Sequence, residues 1–479
     1  MAPETRPLVA AAIGLTMSVW YWPGGAVWDD HTLIEGYLTP IPLSDLGRLW
    51  SQPVGLGDTG AAYYRPVAMT ALSLLGRSGM LGVHVVAGLL HAVSAALVCM
   101  LGGRTPAALV GAVVFAVHPL CWEVLGWASA LPDALAVALG LTLLVAANRV
   151  HPVWILLLAC VGMWAKESSL VWVLGGWATG RLTRTEAGAA LAGVAVALGV
   201  RLGVGVAAVP PSGHIDGVDA WTVFSSQIGT LVWPFPLTAV RDTHHLAWEI
   251  WVAGALVIMV AAFAVWRSDR RLRGILLVVL LAPMIALPTT LSAHLAGDRY
   301  LYAGVAALGW ALSRWTVPIR REGAVLVALT GLGLLIHSSA SLHWRSDRAL
   351  FAQAVEAQPE SAYAWHFLGH AHGLRGEWNH AADAFDRARQ LPYAHPLSAQ
   401  LAMQAMVLGE QFEEAAALGR SGPTESLTAD WLAWWGRAEI GCGHPDEGAR
   451  LLLMLRRDDG SFDGPAFVSL LMEQIEESR

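Results

Sequence analysis

The chain has 479 residues, 55% hydrophobic and 14% charged, with a mean hydropathy of +0.50 and a formal net charge of −7. One soluble core does not hide that much apolar surface, and an acidic balance with basic residues scattered through short loops excludes a nucleic-acid binder. Cys99, Cys121, Cys160 and Cys442 have neither CxxC nor Cys/His spacing, which excludes a disulfide framework or a cysteine-based zinc motif.

The first apolar run, Leu8 to Trp20, follows Arg6 and is not trailed by a small-x-small cleavage site, so it reads as a retained helix rather than a signal peptide. Apolar runs of roughly spanning length follow. The predicted spans lie near 8–22, 81–101, 106–118, 131–148, 152–164, 168–180, 187–207, 247–266, 274–290, 299–314 and 323–339. The fold class expected is therefore all-α, a polytopic bundle of about eleven transmembrane helices over 1–342 with a soluble helical domain over 343–479. Two long loops, 23–80 and 208–246, interrupt the bundle, and Val218–Val232 is expected to form a helix along the membrane surface.

With the N-terminus inside, Arg104, Arg149, Arg181, Arg184, Arg267, Arg270, Arg271, Arg273, Arg314, Arg320 and Arg321 fall in inner loops. The acids Asp29, Asp30, Glu35, Asp45, Asp58, Glu123, Asp216, Asp219, Asp242 and Asp298 fall in outer ones. An odd number of spans then places the tail outside. The near-absence of lysine points to a GC-rich genome, hence a bacterial inner membrane with the tail in the periplasm (the lumen in a eukaryote).

From His343 the apolar period changes. Trp365, Leu368 and Gly369, then Gly376, Ala381, Ala382, Phe385, Ala388 and Pro392, follow the tetratricopeptide (TPR) pattern. Trp365 and Leu368 would pack its first helix, Ala381 and Phe385 its second. Gly376, Gly409 and Gly443 recur about one repeat apart, as do Ala381, Ala415 and Ala449. A generic helical bundle is the other reading. Such arrays bind peptides or proteins, so a protein partner is expected there.

Several polar groups punctuate the apolar frame. Trp28-Asp29-Asp30-His31 follows the first helix; paired carboxylates there fit a general base toward a hydroxyl, or they complement a helix start opened by a Thr32-x-x-Glu35 capping box. Lys166 is the sole lysine of the chain, and Lys166-Glu167 breaks an apolar run. It fits an anchor for a phosphate-bearing lipid headgroup, or a pair that stabilises a helix end. Arg201 lies inside an apolar run, a costly position unless an acid or an anionic ligand offsets it or the side chain reaches the boundary. His118-Pro119 with Glu123, Asp298-Arg299, and Tyr63-Tyr64-Arg65-Pro66 lie at outer helix ends, where solvated or interfacial roles compete with functional ones.

In order, Trp28-Asp29-Asp30, Tyr64-Arg65-Pro66, His118-Pro119-x-x-x-Glu123, Lys166-Glu167-Ser168, Arg201-Leu202, Trp233-Pro234, Asp298-Arg299-Tyr300-Leu301-Tyr302 and Trp344-Arg345-Ser346-Asp347 resemble one family. It is that of the transmembrane and TPR-repeat-containing proteins in the GT-C glycosyltransferase superfamily, related to protein O-mannosyltransferases. The resemblance implies inverting transfer of a sugar from a polyprenyl-phosphate donor to a hydroxyl on a protein or glycan at the outer face. It implies Asp29 as base with Asp30 orienting it or the acceptor, and Lys166, Arg201, Arg299 and Arg65 on the donor phosphate. It places Glu123, His118, Glu167, Asp298 and Tyr302 around the acceptor or shaping the site. No metal-ligand set is identified; a divalent metal is left open as cofactor, and membrane lipid is a partner. Relatives often carry a basic residue where Ala128–Asp133 has none, and a glutamate where this chain has Asp298. A non-catalytic membrane anchor presenting the TPR tail as an assembly scaffold is the alternative. A lipid-intermediate transporter ranks below both, because the polar groups gather at the boundary instead of the midplane.

Overall fold

The computed structural model describes residues 1–55, 62–206, 220–245, 270–293, 295–313, 322–422, 428–457 and 461–477, with a few positions between 252 and 259. The predicted span at 247–266 falls largely outside these residues, as do Asp58, Asp216, Asp219, Arg267, Arg314, Arg320 and Arg321.

The described chain is all-helical apart from an antiparallel two-residue ribbon, Val54–Gly55 against Ala62–Tyr63, and isolated bridges. It divides into two compact units, Met1–Leu350 and Phe351–Arg479.

In the first unit the helices relevant below are α1 (Arg6–Ser18), α2 (Pro66–Gly76), α3 (Met80–Leu101), α4 (Pro106–Val117), α5 (Leu131–Ala146), α6 (Pro152–Ala165), α7 (Leu170–Ala178), α8 (Arg184–Gly203), α9 (Ala220–Val232), α10 (Arg270–Ala293), α11 (Tyr302–Leu312) and α12 (Glu322–Ala340). Their starts are written locally. Proline occupies the first turn of α2, α4 and α6, where its missing N–H costs nothing. Thr105 caps α4 by accepting from Ala108 N at 3.0 Å, and Thr183 with Glu186 completes a capping box on α8.

Among the described residues, four helical segments are long and apolar enough to cross a membrane: Met80–Leu101, Ala128–Ala146, Arg184–Gly203 and Glu322–Ala340. A fifth arises if Pro106–Val117 and Pro119–Gly126, bent by 53°, count as one. Pro119 explains the bend, since proline forces the preceding His118 into extended geometry (ψ 130°). The predicted spans at 8–22, 152–164, 168–180 and 299–314 are the helices α1, α6, α7 and α11, of 13, 14, 9 and 11 residues. The span at 274–290 lies within the 24-residue α10. The segment expected on the membrane surface is helical as α9, but Val223 and the whole run Ser225–Leu231 are buried, and it packs on α10.

Close helix contact depends on small residues. A Cβ on Gly111 of α4 would strike the carbonyl oxygen of Gly309 on α11, and one on Gly309 would meet the Gly111 oxygen at 2.6 Å. Gly111→Val is therefore expected to force these helices apart at a cost of about 1–3 kcal/mol, read as a lower melting temperature of the detergent-solubilised protein.

The second unit holds three consecutive helical hairpins. They are α13 (Ala362–Gly373) with α14 (Trp378–Gln390), α15 (Ser398–Leu408) with α16 (Phe412–Arg420), and α17 (Ala429–Gly441) with α18 (Pro445–Leu453). Ala381, Ala415 and Ala449 take equivalent buried places in the second helix of each hairpin. Leu368 is buried, and Gly369 leaves room for the Phe385 ring. Trp365 is half-buried and donates from Nε1 to Pro359 O at 2.9 Å. The recurring glycines sit in the intra-hairpin turns. Gly376 and Gly443 adopt positive φ (70° and 81°), whereas in the middle turn Glu410 takes that conformation (φ 62°).

Candidate active site

The ends of α5, α6 and α8, the loop after α1 and the segment before α11 converge in one cluster of charged side chains. Lys166 lies where α6 stops. It is extended (φ −163°, ψ 144°), so the ammonium turns back into the bundle and meets both Asp133 oxygens at 2.6 Å. Glu167 does not pair with it. Its carboxylate bridges Arg65 (Nε to Oε2 3.0 Å) and Arg201 instead. The partner acid that offsets Arg201 in its apolar helix is thus Glu167.

Arg299 is bound to Glu123 through its guanidinium, and its backbone N–H donates to Glu123 Oε2 at 2.9 Å. The same guanidinium stacks over Trp127 (4.5 Å) and Tyr300 (4.4 Å), and Lys166 lies 5.2 Å from the Tyr300 ring. Asp298 turns away. It is buried, accepting from Trp122 Nε1 at 2.9 Å and from Arg241 at 3.1 Å.

The two adjacent aspartates have different fates. Asp30 is fully buried; Oδ1 accepts from Ser129 N (2.8 Å) and Ser129 Oγ (2.5 Å), and Oδ2 from Val27 N (3.2 Å). Burial pushes its carboxyl up to about 7, against those hydrogen bonds. Asp29 is half-buried and has no hydrogen-bond partner among the described residues. Burial raises its carboxyl as well, with Arg299 pulling the other way. The expected capping box does not form: Glu35 accepts from His31 Nδ1 at 2.9 Å, and the helix start carries no side-chain cap. His31 Nε2 bonds Asp347 Oδ2 (2.8 Å), and Asp347 Oδ1 accepts from Trp28 N (2.6 Å), so Asp347 clasps the aspartate loop. Trp28 stacks on Trp127 (5.1 Å, 13°), which sets Asp29 beside the Arg299 face.

Electrostatics at Lys166 and Glu167 are opposite in sign. Burial, then the neighbouring Arg65 and Arg299, lower the Lys166 ammonium to about 8 despite Asp133. Burial acts to raise the Glu167 carboxyl, but Arg65 and Arg201 outweigh it and hold it at about 2.

The structure therefore brings together Asp29, Asp30, Arg65, Glu123, Lys166, Glu167, Arg201 and Arg299, with Asp298 on the flank. It does not bring in His118 or Tyr302. His118 accepts from Leu120 N (3.3 Å) and reaches Leu231 O (3.2 Å), closing the bend after α4. Tyr302 is buried among helices, its hydroxyl on His91 Nδ1 at 2.8 Å. Sequence reasoning missed Asp133, Ser129, Trp127 and Arg241. Asp133 had a signal, a lone carboxylate in the first turn of the apolar α5.

At the other ends of the helices arginines gather. Arg181 Nε donates to Leu144 O (3.1 Å), Arg149 to Val145 O (2.8 Å) and Arg270 to Ala178 O (3.2 Å), each satisfying carbonyls at a helix C-terminus. A cavity of about 130 Å³ lies among them, lined by Asn148, Arg181, Arg271 and Trp310, remote from Asp29. No protein-family model, curated protein or solved structure matches this chain.

Proposed function

We propose that the chain is a multi-pass membrane glycosyltransferase of GT-C type with a TPR-like tail, using a polyprenyl-phosphate sugar. The observation that carries the reading is the uncommitted carboxylate of Asp29, half-buried beside Arg299, which in turn crowds with Arg65 about Lys166. A base must be reachable and short of hydrogen-bond partners, and a phosphate site must concentrate cations, here closely enough that Arg65 and Arg299 help lower the Lys166 ammonium. Both conditions are met within one cluster.

In this reading Asp29 takes the proton of an acceptor hydroxyl as its oxygen attacks the anomeric carbon on the face opposite the phosphate. The carbon–oxygen bond to phosphate breaks and its electron pair leaves with the polyprenyl phosphate, inverting the centre. Lys166, Arg65 and Arg299 meet the charge that develops there, with Glu167 fixing Arg65 and Arg201. Asp30, with all its contacts inside the protein, holds the loop. The arginines at the opposite helix ends support an orientation with the Asp29 end outside. The tail's hairpins, with alanines repeated at matching positions, suit capture of a protein acceptor or partner.

The test is binding and turnover of polyprenyl-phosphate sugars by the purified protein, with a protein or glycan acceptor panel. Absence of donor binding by the folded wild type across a broad sugar panel would transfer the assignment to the non-catalytic scaffold. That second reading draws on one observation, that Asp30, Glu123, Asp133, Glu167 and Asp298 are already bonded within the protein.

The pH profile is a further expectation. Asp29 must be ionised, so kcat/KM rises with pH through a carboxyl pKa above the ordinary range; Lys166 must be charged, so it falls above about 8. A profile flat from pH 5 to 9, measured at fixed ionic strength, contradicts both roles.

A further inference from the structure

The turn between α13 and α14 gathers three metal-type donors that neither the tail's packing nor the proposed transfer uses. His372 lies in the last turn of α13, Glu377 immediately precedes α14, and His380 lies in the first turn of α14. The chain reverses between them through Gly376, at φ 70°, and the Glu377 N–H donates back to His372 O at 3.0 Å. This brings His372 Nδ1 to 2.6 Å from Glu377 Oε2 and sets the two imidazoles face to face, 5.2 Å apart and inclined by 23°. The donor atoms of all three residues lie within 4.8 Å of one another.

We infer that His372, Glu377 and His380 form a site for a divalent transition-metal ion of the Zn²⁺, Ni²⁺ or Cu²⁺ class. Metal–nitrogen and metal–oxygen bonds near 2.0–2.2 Å put tetrahedral donors about 3.3 Å apart, so the cluster needs only a modest contraction. Two imidazoles and one carboxylate are borderline donors, which favour these ions over Mg²⁺ or Ca²⁺. The arrangement also has an outer support. Arg375 Nε donates to Glu377 Oε1 at 2.8 Å, which fixes the carboxylate and leaves Oε2 directed at His372. An ion-pair closure of the turn accounts for His372, Arg375 and Glu377. It leaves out His380, which is exposed, has no hydrogen bond among the described residues and yet stacks on His372. A metal ion takes the place of the proton that links His372 to Glu377 and joins His380 to both. With three protein donors and His380 exposed, a fourth position faces water or a donor group from a bound partner. Bound metal would staple the first hairpin of the tail.

The experiment is a Zn²⁺ titration of the chelator-stripped full chain in detergent by calorimetry, repeated with Co²⁺ and read by visible absorption. One equivalent of Zn²⁺ is expected, with the intense Co²⁺ bands of a four-coordinate site, and weaker binding by about tenfold or more in Glu377→Gln and His380→Ala. His380→Ala is the decisive variant, since its exposed side chain can be removed with helix content unchanged by circular dichroism. His370→Ala, which removes an imidazole two residues from His372, is expected to bind as the wild type does. Absence of stoichiometric binding, or a titration unchanged in folded His380→Ala, overturns the site.

Discussion

Replacing Asp29 by asparagine is expected to lower turnover by about 10²–10⁴-fold, the usual contribution of a general base, with donor binding retained. The substitution keeps the side chain's size and breaks no hydrogen bond among the described residues, so the melting temperature should not move. Asp30→Asn is expected to behave in the opposite way. Both Asp30 oxygens accept from N–H or O–H donors, so the new amide must turn its own NH₂ toward Ser129 or Val27. The buried loop then loses a bond and gains a donor–donor conflict, at about 1–3 kcal/mol. Steady-state kinetics beside thermal unfolding of the two variants separates the roles. Turnover in folded Asp29→Asn equal to the wild type would remove Asp29 as the base, and with it the assignment of chemistry to this loop.

Lys166→Ala is expected to produce the larger loss of stability, about 3–5 kcal/mol, because it strands a buried carboxylate. Asp133 is 4% exposed and its two oxygens share the Lys166 ammonium at 2.6 Å. The loss mixes structure with function, so the informative variant removes both charges. Lys166→Leu with Asp133→Leu restores an apolar contact of similar volume, and replacing both members of a buried pair is often neutral or stabilising. Its melting temperature is expected to return close to that of the wild type, while binding of polyprenyl phosphate falls because an ammonium has left the cluster. Recovery of stability and of donor binding together would make the pair purely structural. The same logic suits a lysine at this position in a chain whose other permanently cationic side chains are all arginine. A compact ammonium reaches both oxygens of one carboxylate in a space that a planar guanidinium fills differently.

Much of the architecture is legible residue by residue. Runs of apolar residues of helical length, broken by proline and opened by Thr or Ser caps, determine that the chain is helical and where several helices begin. The spacing of Trp365, Gly376, Ala381 and Phe385 places the first hairpin of the second unit, and its recurrence places the next two. These signals are local, because the 3.6-residue period and the cost of an uncapped N–H are decided within a turn or two. Segment length alone is a weaker guide to how a helix sits, which is why runs read as spans at 8–22, 152–164, 168–180 and 299–314 are helices of 9–14 residues.

Which acid meets which base was decided only by the tertiary structure. The sequence singled out Lys166-Glu167 as neighbours, yet Lys166 pairs with Asp133, 33 residues away, and Glu167 with Arg65 and Arg201. Glu123 and Arg299 are 176 residues apart, and Asp30 reaches Ser129 across 99. The physical reason lies in distance and dielectric. An ion pair contributes little until helix packing brings the charges within about 4 Å and excludes water, and that packing is set by apolar and small residues elsewhere. Adjacent aspartates therefore read alike in the sequence, while the fold buries and bonds Asp30 and leaves Asp29 half-buried with no hydrogen-bond partner among the described residues.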